Sequence, residues 1–544
     1  MEKHGAVSTT SNRAERCIAT MTPPALEPYT GAWTAAEAAH LLRRVGFGPT
    51  YEEIQWSVSV GLNATLDTLF EKRPEPTPPI NYYFNDDPLV PVGETWIDKE
   101  ITRGVRGLIT ARNRSLMAWL VGYFLDGPIH VEPKLTLFWH NLLVVANIAN
   151  PHIRWIYWTM LRENALGNYR TLIKKVTVDP AMLFYLNGNE NTAQSPNENY
   201  ARELLELFTI GKGPLAGPGD YTNYTEQDIQ EIARALTGWR VNGRQYRSIF
   251  VSRRHDKGVK RLSHRFGNAE IPNLEEKEYE RVVDIIFEQE EVSRFIVRKL
   301  YRWYVHYDIT EEVEKQVIEP LAALLRQEDY AIEPVLRTLF GSAHFYDSCV
   351  RGVMVRSPMD YLFTLLRTGE VSMPEERIEK YFVWERIGLF LIREEQFPFR
   401  HPSVAGWPAY YQEPVYYRIW LSSVSLPNRK TWTDSLVDER YRFQRRYKIG
   451  MDLLGIVHRF PAPEDPDRLI EELNTLFLPY PLTDAQRQYL KKEVLLPGLP
   501  DYEWTVEWDQ YKSNPDDENA RMAVLNRLRA LMKVMLNMPE HQLM

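Results

Sequence analysis

Apolar positions recur at intervals of three and four along most of this chain, the period of amphipathic helices. Thr34 and Glu37 stand three residues apart at the head of an apolar run. At that spacing a hydroxyl and a carboxylate satisfy each other's end of a first helical turn, so a helix is predicted over 35–47. Gly48-Pro49 stops it, and Thr50 with Glu53 repeats the device, with Gly61 as the next stop. A Pro-rich stretch over 74–91 reads as a loop, and helical pattern resumes over 99–125. Residues 135–146 are apolar nearly all round, and their length favours a buried helix over a strand. Further helices are predicted over 153–163, 169–176, 196–210 and 226–239.

Residues 240–272 change character and predict a short β excursion, read as a hairpin. Helical pattern then returns over 275–289, 291–304, 311–327, 332–340, 359–367 and 377–391. Residues 395–430 are aromatic and Pro-rich, which reads as irregular, and 483–493 and 519–536 are helical. The fold class is therefore mainly α: a large multi-helix assembly with a small β excursion near residues 240–265. Residues 1–30, rich in Ser, Thr and Pro, read as a disordered tail, with order starting at Trp33. The rest divides into a helical part over 31–272, which holds the candidate site, and a second over 273–544. No linker separates them, so they are expected to pack as one unit. No fixed period repeats along the chain.

Composition narrows the function classes. Hydrophobic residues make up 44% and charged residues 25% of 544, enough for a core that needs no staples. The 15 Trp, 30 Tyr and 21 Phe read as part of that core. A net charge of -8 argues against nucleic acid as a partner. Two cysteines, Cys17 and Cys349, exclude a disulfide framework and a cysteine-built zinc site. Any metal must use His and carboxylates. No uninterrupted apolar window is long enough for a membrane span. The first residues hold no signal-peptide core, so a cytoplasmic location is expected.

Several segments resemble a bacterial family called domain of unknown function 1800. They are Ala38-Ala39-His40-Leu41-Leu42-Arg43-Arg44, Phe138-Trp139-His140-Asn141 and Asn197-Glu198-Asn199-Tyr200-Ala201-Arg202-Glu203-Leu204. Ala233-Arg234-Ala235-Leu236-Thr237-Gly238-Trp239, His255-Asp256-Lys257-Gly258-Val259-Lys260 and Pro402-Ser403-Val404-Ala405-Gly406-Trp407-Pro408 follow in the family's order. The resemblance runs from about residue 33 to the end. It implies a largely helical protein. It also implies a partner: family genes often lie beside one for a sulfatase-like family, domain of unknown function 1501. Many members carry export signals, which keeps export open for this chain. Where the family often has a second His two residues after His140, this chain has Leu142. The resemblance brings no catalytic assignment.

The candidate chemistry is then read from the residues. His140 and Asn141 sit in a helix with little other polar surface, so each needs a partner. Ser195, Pro196 and Glu198 read as cap, first and third positions of the next helix, whose polar face holds Asn199, Arg202, Glu203 and Glu206. Glu203 and Glu206 lie within one turn, close enough to share a proton or a divalent cation. His255 and Asp256 sit in a loop with Lys260. The bland readings are a structural hydrogen-bond pair, a solvated face and a turn. The sharper reading groups His140, Asn141, Glu203, His255 and Asp256 as catalytic, and His140, Glu203, Glu206 and His255 as ligands of a divalent metal. Arg202, Lys260 and Trp239 would then bind substrate. His140, Glu203 and His255 are expected to share one polar site. Arg43 and Arg44 read as ordinary cations at a helix end, and Gly406 with Trp407 as a structural turn. The function that follows is a metal- or acid/base-dependent hydrolase. The alternative is a non-enzymatic assembly or binding protein acting with the sulfatase-like partner. Convergence of these residues on one concave pocket would favour the enzyme; dispersal would favour the binding protein.

Overall fold

The structure, a computed structural model, describes residues 25–217, 220–443 and 447–544. Helices dominate these residues, and strands occur only as two-stranded antiparallel pairs. Both predicted capping boxes form: Thr34 and Glu37 open the helix Ala35–Val45, and Thr50 and Glu53 open Tyr51–Phe70. Gly61 does not end that second helix but kinks it, at φ +83°. The helix predicted over 99–125 begins later, as Leu108–Leu125. The apolar run over 135–146 splits. Its first part ends the helix Val131–Leu142, and Leu143 to Ala146 continue as buried non-helical chain.

The β excursion is a hairpin of Trp239–Asn242 and Arg247–Phe250, with Trp239 opposite Phe250. It cuts the preceding helix short, as Glu226–Ala235. A second pair, Lys260–Arg261 with Glu270–Ile271, follows at once. Two further hairpins, Leu215–Gly217 with Asp220–Tyr221 and Tyr441–Phe443 with Tyr447–Ile449, were not anticipated. Within the stretch read as irregular, the helix Ser425–Val437 begins.

One hydrophobic cluster runs from Ala25 to Met544 and crosses residue 272 repeatedly. The helix Leu108–Leu125 packs along Arg377–Arg393. Gly122 makes that approach feasible, since a Cβ there would lie 2.7 Å from the Trp384 ring. Buried Lys134, on Val131–Leu142, pairs at 2.7 Å with buried Asp360 on Pro358–Thr368.

Arg43 and Arg44 depart from the expected role. Both are buried and serve helices far along the chain. Arg43 donates to the carbonyls of Leu476, at 2.9 Å, and Thr475, at the end of the helix Pro466–Phe477. Arg356 donates to Phe477 O at 3.1 Å in the same place. Arg44 donates to Val305 O at 3.0 Å and Tyr304 O at 3.2 Å, where the helix Glu290–Tyr304 ends. The last carbonyls of a helix lack partners within it and carry its negative pole, which a buried guanidinium answers on both counts. Burial lowers Arg43 to about 9 and Arg44 and Arg356 to about 10, so all three stay charged at neutral pH.

Order begins earlier than Trp33. Residues 25–30 dock on the segment after the helix Ile332–Gly341. Tyr29 N donates to Gly341 O at 2.8 Å, Ala343 N to Glu27 O at 2.8 Å, and His344 N to Ala25 O at 3.0 Å. The earlier part of the predicted tail, 1–24, lies outside the described residues. Cys349 is disulfide-bonded, and Cys17 lies in that same outside segment. The expected consequence is that a chain starting at residue 32 is less stable than one starting at residue 25. Three lost backbone hydrogen bonds set the loss at about 2–4 kcal/mol, at roughly 1 kcal/mol each with some packing. Urea unfolding of the two chains measures it.

Candidate functional site

His140 is fully buried in the helix Val131–Leu142, and neither ring nitrogen has a hydrogen-bond partner. Its neighbours are aromatic. The Phe399 ring lies edge-on at 4.5 Å and Trp158 at 5.6 Å, while His401 stacks on it at 4.7 Å with the planes 24° apart. Both nitrogens of His401 are likewise buried and unpartnered, as are the indole nitrogens of Trp158 and Trp407. The hydrogen-bond partner the sequence required is therefore missing: a second imidazole stacks on the ring and leaves all four nitrogens unmet. Burial pushes His140 far below the ordinary histidine range, with His401 and Arg154 adding to the effect. Burial alone brings His401 down to about 3. Both rings are neutral at physiological pH.

Asn141, next in the helix, does have partners. Its Oδ1 accepts from Trp407 N at 2.9 Å. Gly406, at φ +86°, passes so close that a Cβ there would lie 2.5 Å from Asn141 O. The turn at 403–408 is structural, as expected, and what it clasps is Asn141.

His255 belongs to a different constellation. Its Nδ1 faces Thr237 O at 2.9 Å, and its Nε2 faces Glu278 Oε1 at 3.0 Å. Lys260 reaches the other oxygen of Glu278 at 2.6 Å. The side chains of all three are shut off from solvent. Asp256 turns the other way. It takes a bidentate pair from Arg234, at 2.8 and 3.1 Å, and accepts from Gly258 N at 2.9 Å, which sets the turn. The guanidinium of Arg234 holds Asp256 below the usual carboxylate range.

The third element is the helix Glu198–Glu206. Its cap is Asn197, not Ser195: Asn197 Oδ1 accepts from Tyr200 N, and its amide donates to Leu186 O. Ser195 is drawn instead into a bridge with Thr192. The predicted apolar stripe is buried at Tyr200, Ala201, Leu204, Leu205 and Phe208. On the other face Arg202 forms a bidentate pair with Glu226 at 3.0 and 2.8 Å. Glu206 accepts from the Tyr224 hydroxyl at 3.0 Å. Partial burial raises Glu203, and the charge of Glu206 raises it further.

The expected shared site does not form through direct contact. His140 bonds neither Glu203 nor His255, and both nitrogens of His255 are engaged elsewhere. Among the described residues no group of three or more His, Cys, Asp or Glu side chains is placed to hold a metal ion. The metal set of His140, Glu203, Glu206 and His255 is therefore dispersed. His140 and His401 do not replace it. Imidazole lone pairs lie in the ring plane, so two stacked rings aim theirs side by side, not at a common point about 2 Å from each. Of the residues assigned to substrate, Lys260 is buried under Glu278 and Arg202 is ion-paired. Trp239 packs edge-on against Tyr279 at 5.5 Å and near Phe250. Sequence reasoning missed Glu278 and His401. A buried Lys260 calls for an acid, but nothing local in the sequence says which one.

A family model described as a protein of unknown function, DUF1800, matches residues 40–543. The chain belongs to the DUF1800 family. No curated protein and no solved structure matches it. The matched range of this DUF1800 chain includes both constellations, the stacked histidines and the His255–Glu278–Lys260 cluster.

Two outcomes follow for this site. Glu278→Gln leaves two buried cation-capable side chains without their carboxylate and should lower stability by roughly 3–5 kcal/mol, read by urea unfolding. The His401 ring has a folded value of about 3 against 6.5 for an ordinary histidine. Between those values the unfolded chain binds more protons, so stability falls as pH drops from 6.5 towards 3. His401→Phe keeps the ring and removes the proton site. Its acid-unfolding midpoint should move down by roughly half a pH unit.

Proposed function

We propose that this DUF1800 chain is a binding and assembly protein that works with a sulfatase-like partner of the family called domain of unknown function 1501. The observation that supports this reading is the fate of the candidate catalytic side chains. His140, Asn141, His255 and Lys260 are buried. Asp256 and Arg202 are committed to ion pairs. Three surface clefts, of about 700, 450 and 330 Å³, are lined by none of the residues assigned to catalysis, metal or substrate. A hydrolase needs its acid, base or metal within reach of a substrate in a concave site.

Exposed apolar side chains add to this. Val415, Ile419, Val424 and Leu426 are exposed along one stretch, and Tyr489, Leu499, Tyr502 and Val506 along another. Exposed apolar surface of that kind is what a protein partner covers. Among the described residues no helix is long and apolar enough to cross a membrane.

Co-expression with the sulfatase-like protein, followed by size-exclusion chromatography, tests the reading. The two chains should elute together, and the DUF1800 chain alone should not turn over 4-nitrophenyl phosphate or sulfate, with or without added divalent metal. Turnover that is lost in Glu203→Gln or His255→Ala would restore the hydrolase.

A further inference from the structure

The cleft of about 700 Å³ uses none of the residues discussed so far for chemistry. Its walls come from the helix Tyr51–Phe70, the turn after Leu108–Leu125, and the end of Pro358–Thr368 with the turn that follows. The volume is that of a small-molecule site. Trp56, Leu125, Ile129 and Met373 give it apolar surface, and Glu52, Glu53, Asp126 and Glu370 give it acid.

One cation, Arg367, lines the cleft, and four of its five donors are engaged. It donates to Gly48 O at 3.1 Å and to Leu125 O and Gly127 O at 2.8 Å, and it pairs with Glu53 at 2.9 Å. Glu52 and Glu370 share a single guanidinium, that of Arg459. Asp126 meets Lys380 at 3.9 Å and lies in the field of Arg367. The lining is thus an apolar surface with an indole, and four carboxylates against the three cations Arg367, Arg459 and Lys380.

We propose that this cleft binds a small organic ammonium ion, a primary or quaternary amine carried on an apolar body. The head group meets the carboxylates of Asp126, Glu52 and Glu370, and the body lies on Trp56 and Met373. An indole face attracts such a cation through its quadrupole, more strongly where water is excluded. Burial raises both Asp126 and Glu370 and nearby cations lower them, so an added positive charge favours their carboxylate forms. An anionic guest meets repulsion from the same groups. The inference stands apart from the partner proposed above, because its test needs the single chain only.

Calorimetric titration of the full chain with hexylammonium, hexanol and hexanoate tests it. Hexylammonium should bind about tenfold or more tightly than either of the others, a difference of roughly 1.4 kcal/mol. Asp126→Asn and Trp56→Ala should each weaken hexylammonium several-fold and leave the far-ultraviolet circular dichroism unchanged. Trp56→Leu, which keeps the apolar bulk and removes the π face, serves if Trp56→Ala loses helix. Equal affinity for hexanol and hexylammonium overturns the proposal. So does unchanged hexylammonium binding in both variants, or no heat of binding with the amine at about 10 mM, where even a millimolar site would be filled.

Discussion

Buried guanidinium groups at the carboxyl ends of helices hold this molecule to one arrangement. Arg43, Arg44 and Arg356 do not answer carboxylates; they answer the last carbonyls of Pro466–Phe477 and Glu290–Tyr304. Arg429 extends the set by donating to Arg356 O at 2.9 Å and to Gln542 Oε1 at 3.0 Å. Each helix end placed in the core would otherwise leave orphan acceptors there, at a cost of about 1–3 kcal/mol for each group left unmet. A guanidinium has five donors in a fixed fork, so one side chain serves several carbonyls and fixes their relative position. Asp360, beside Lys134, is the buried acid that completes the neighbourhood. With the helix ends fixed in this way, the aromatic rings around His140 and the carboxylates around His255 fall into place as consequences of packing.

What was legible in the sequence was local. Thr34 with Glu37 and Thr50 with Glu53 act within one turn, so spacing alone reveals them. The hairpin near residue 240 shows because its pattern abandons the helical period. The cap at Asn197 was misplaced by two residues because the winning interaction is not local. Asn197 is chosen by Leu186 O and by Asn191 Oδ1, which receives its backbone N–H at 2.9 Å. Ser195 offered a good cap and no such neighbours. Glu278 and His401 were invisible for a related reason. They complete His255 and His140 across 23 and more than 200 residues, and periodicity carries no information at that range.

The same distinction shapes the functional reading. Polar residues in apolar helices take internal neighbours, but not all of these are hydrogen-bond partners. His255 and Lys260 both meet Glu278. His140 stacks on His401 among indoles and a phenyl ring, and its nitrogens stay unpaired. The amphipathic cleft beside Trp56 uses none of these residues, and its four acids share three cations.

The reach of Arg43 has a consequence for how the protein comes into being. Its acceptor Leu476 O lies 433 residues further along the chain, and His40 Nε2 donates to Phe345 O across 305. The buried cation of the helix Ala35–Val45 has no destination until the helix Pro466–Phe477 has also been made. At about 5–20 residues per second that wait is on the order of half a minute. During it the early helices can pack on one another, but the face of Ala35–Val45 that meets Pro466–Phe477 stays uncovered. A chain built this way cannot close its core around that buried cation before its last third has emerged.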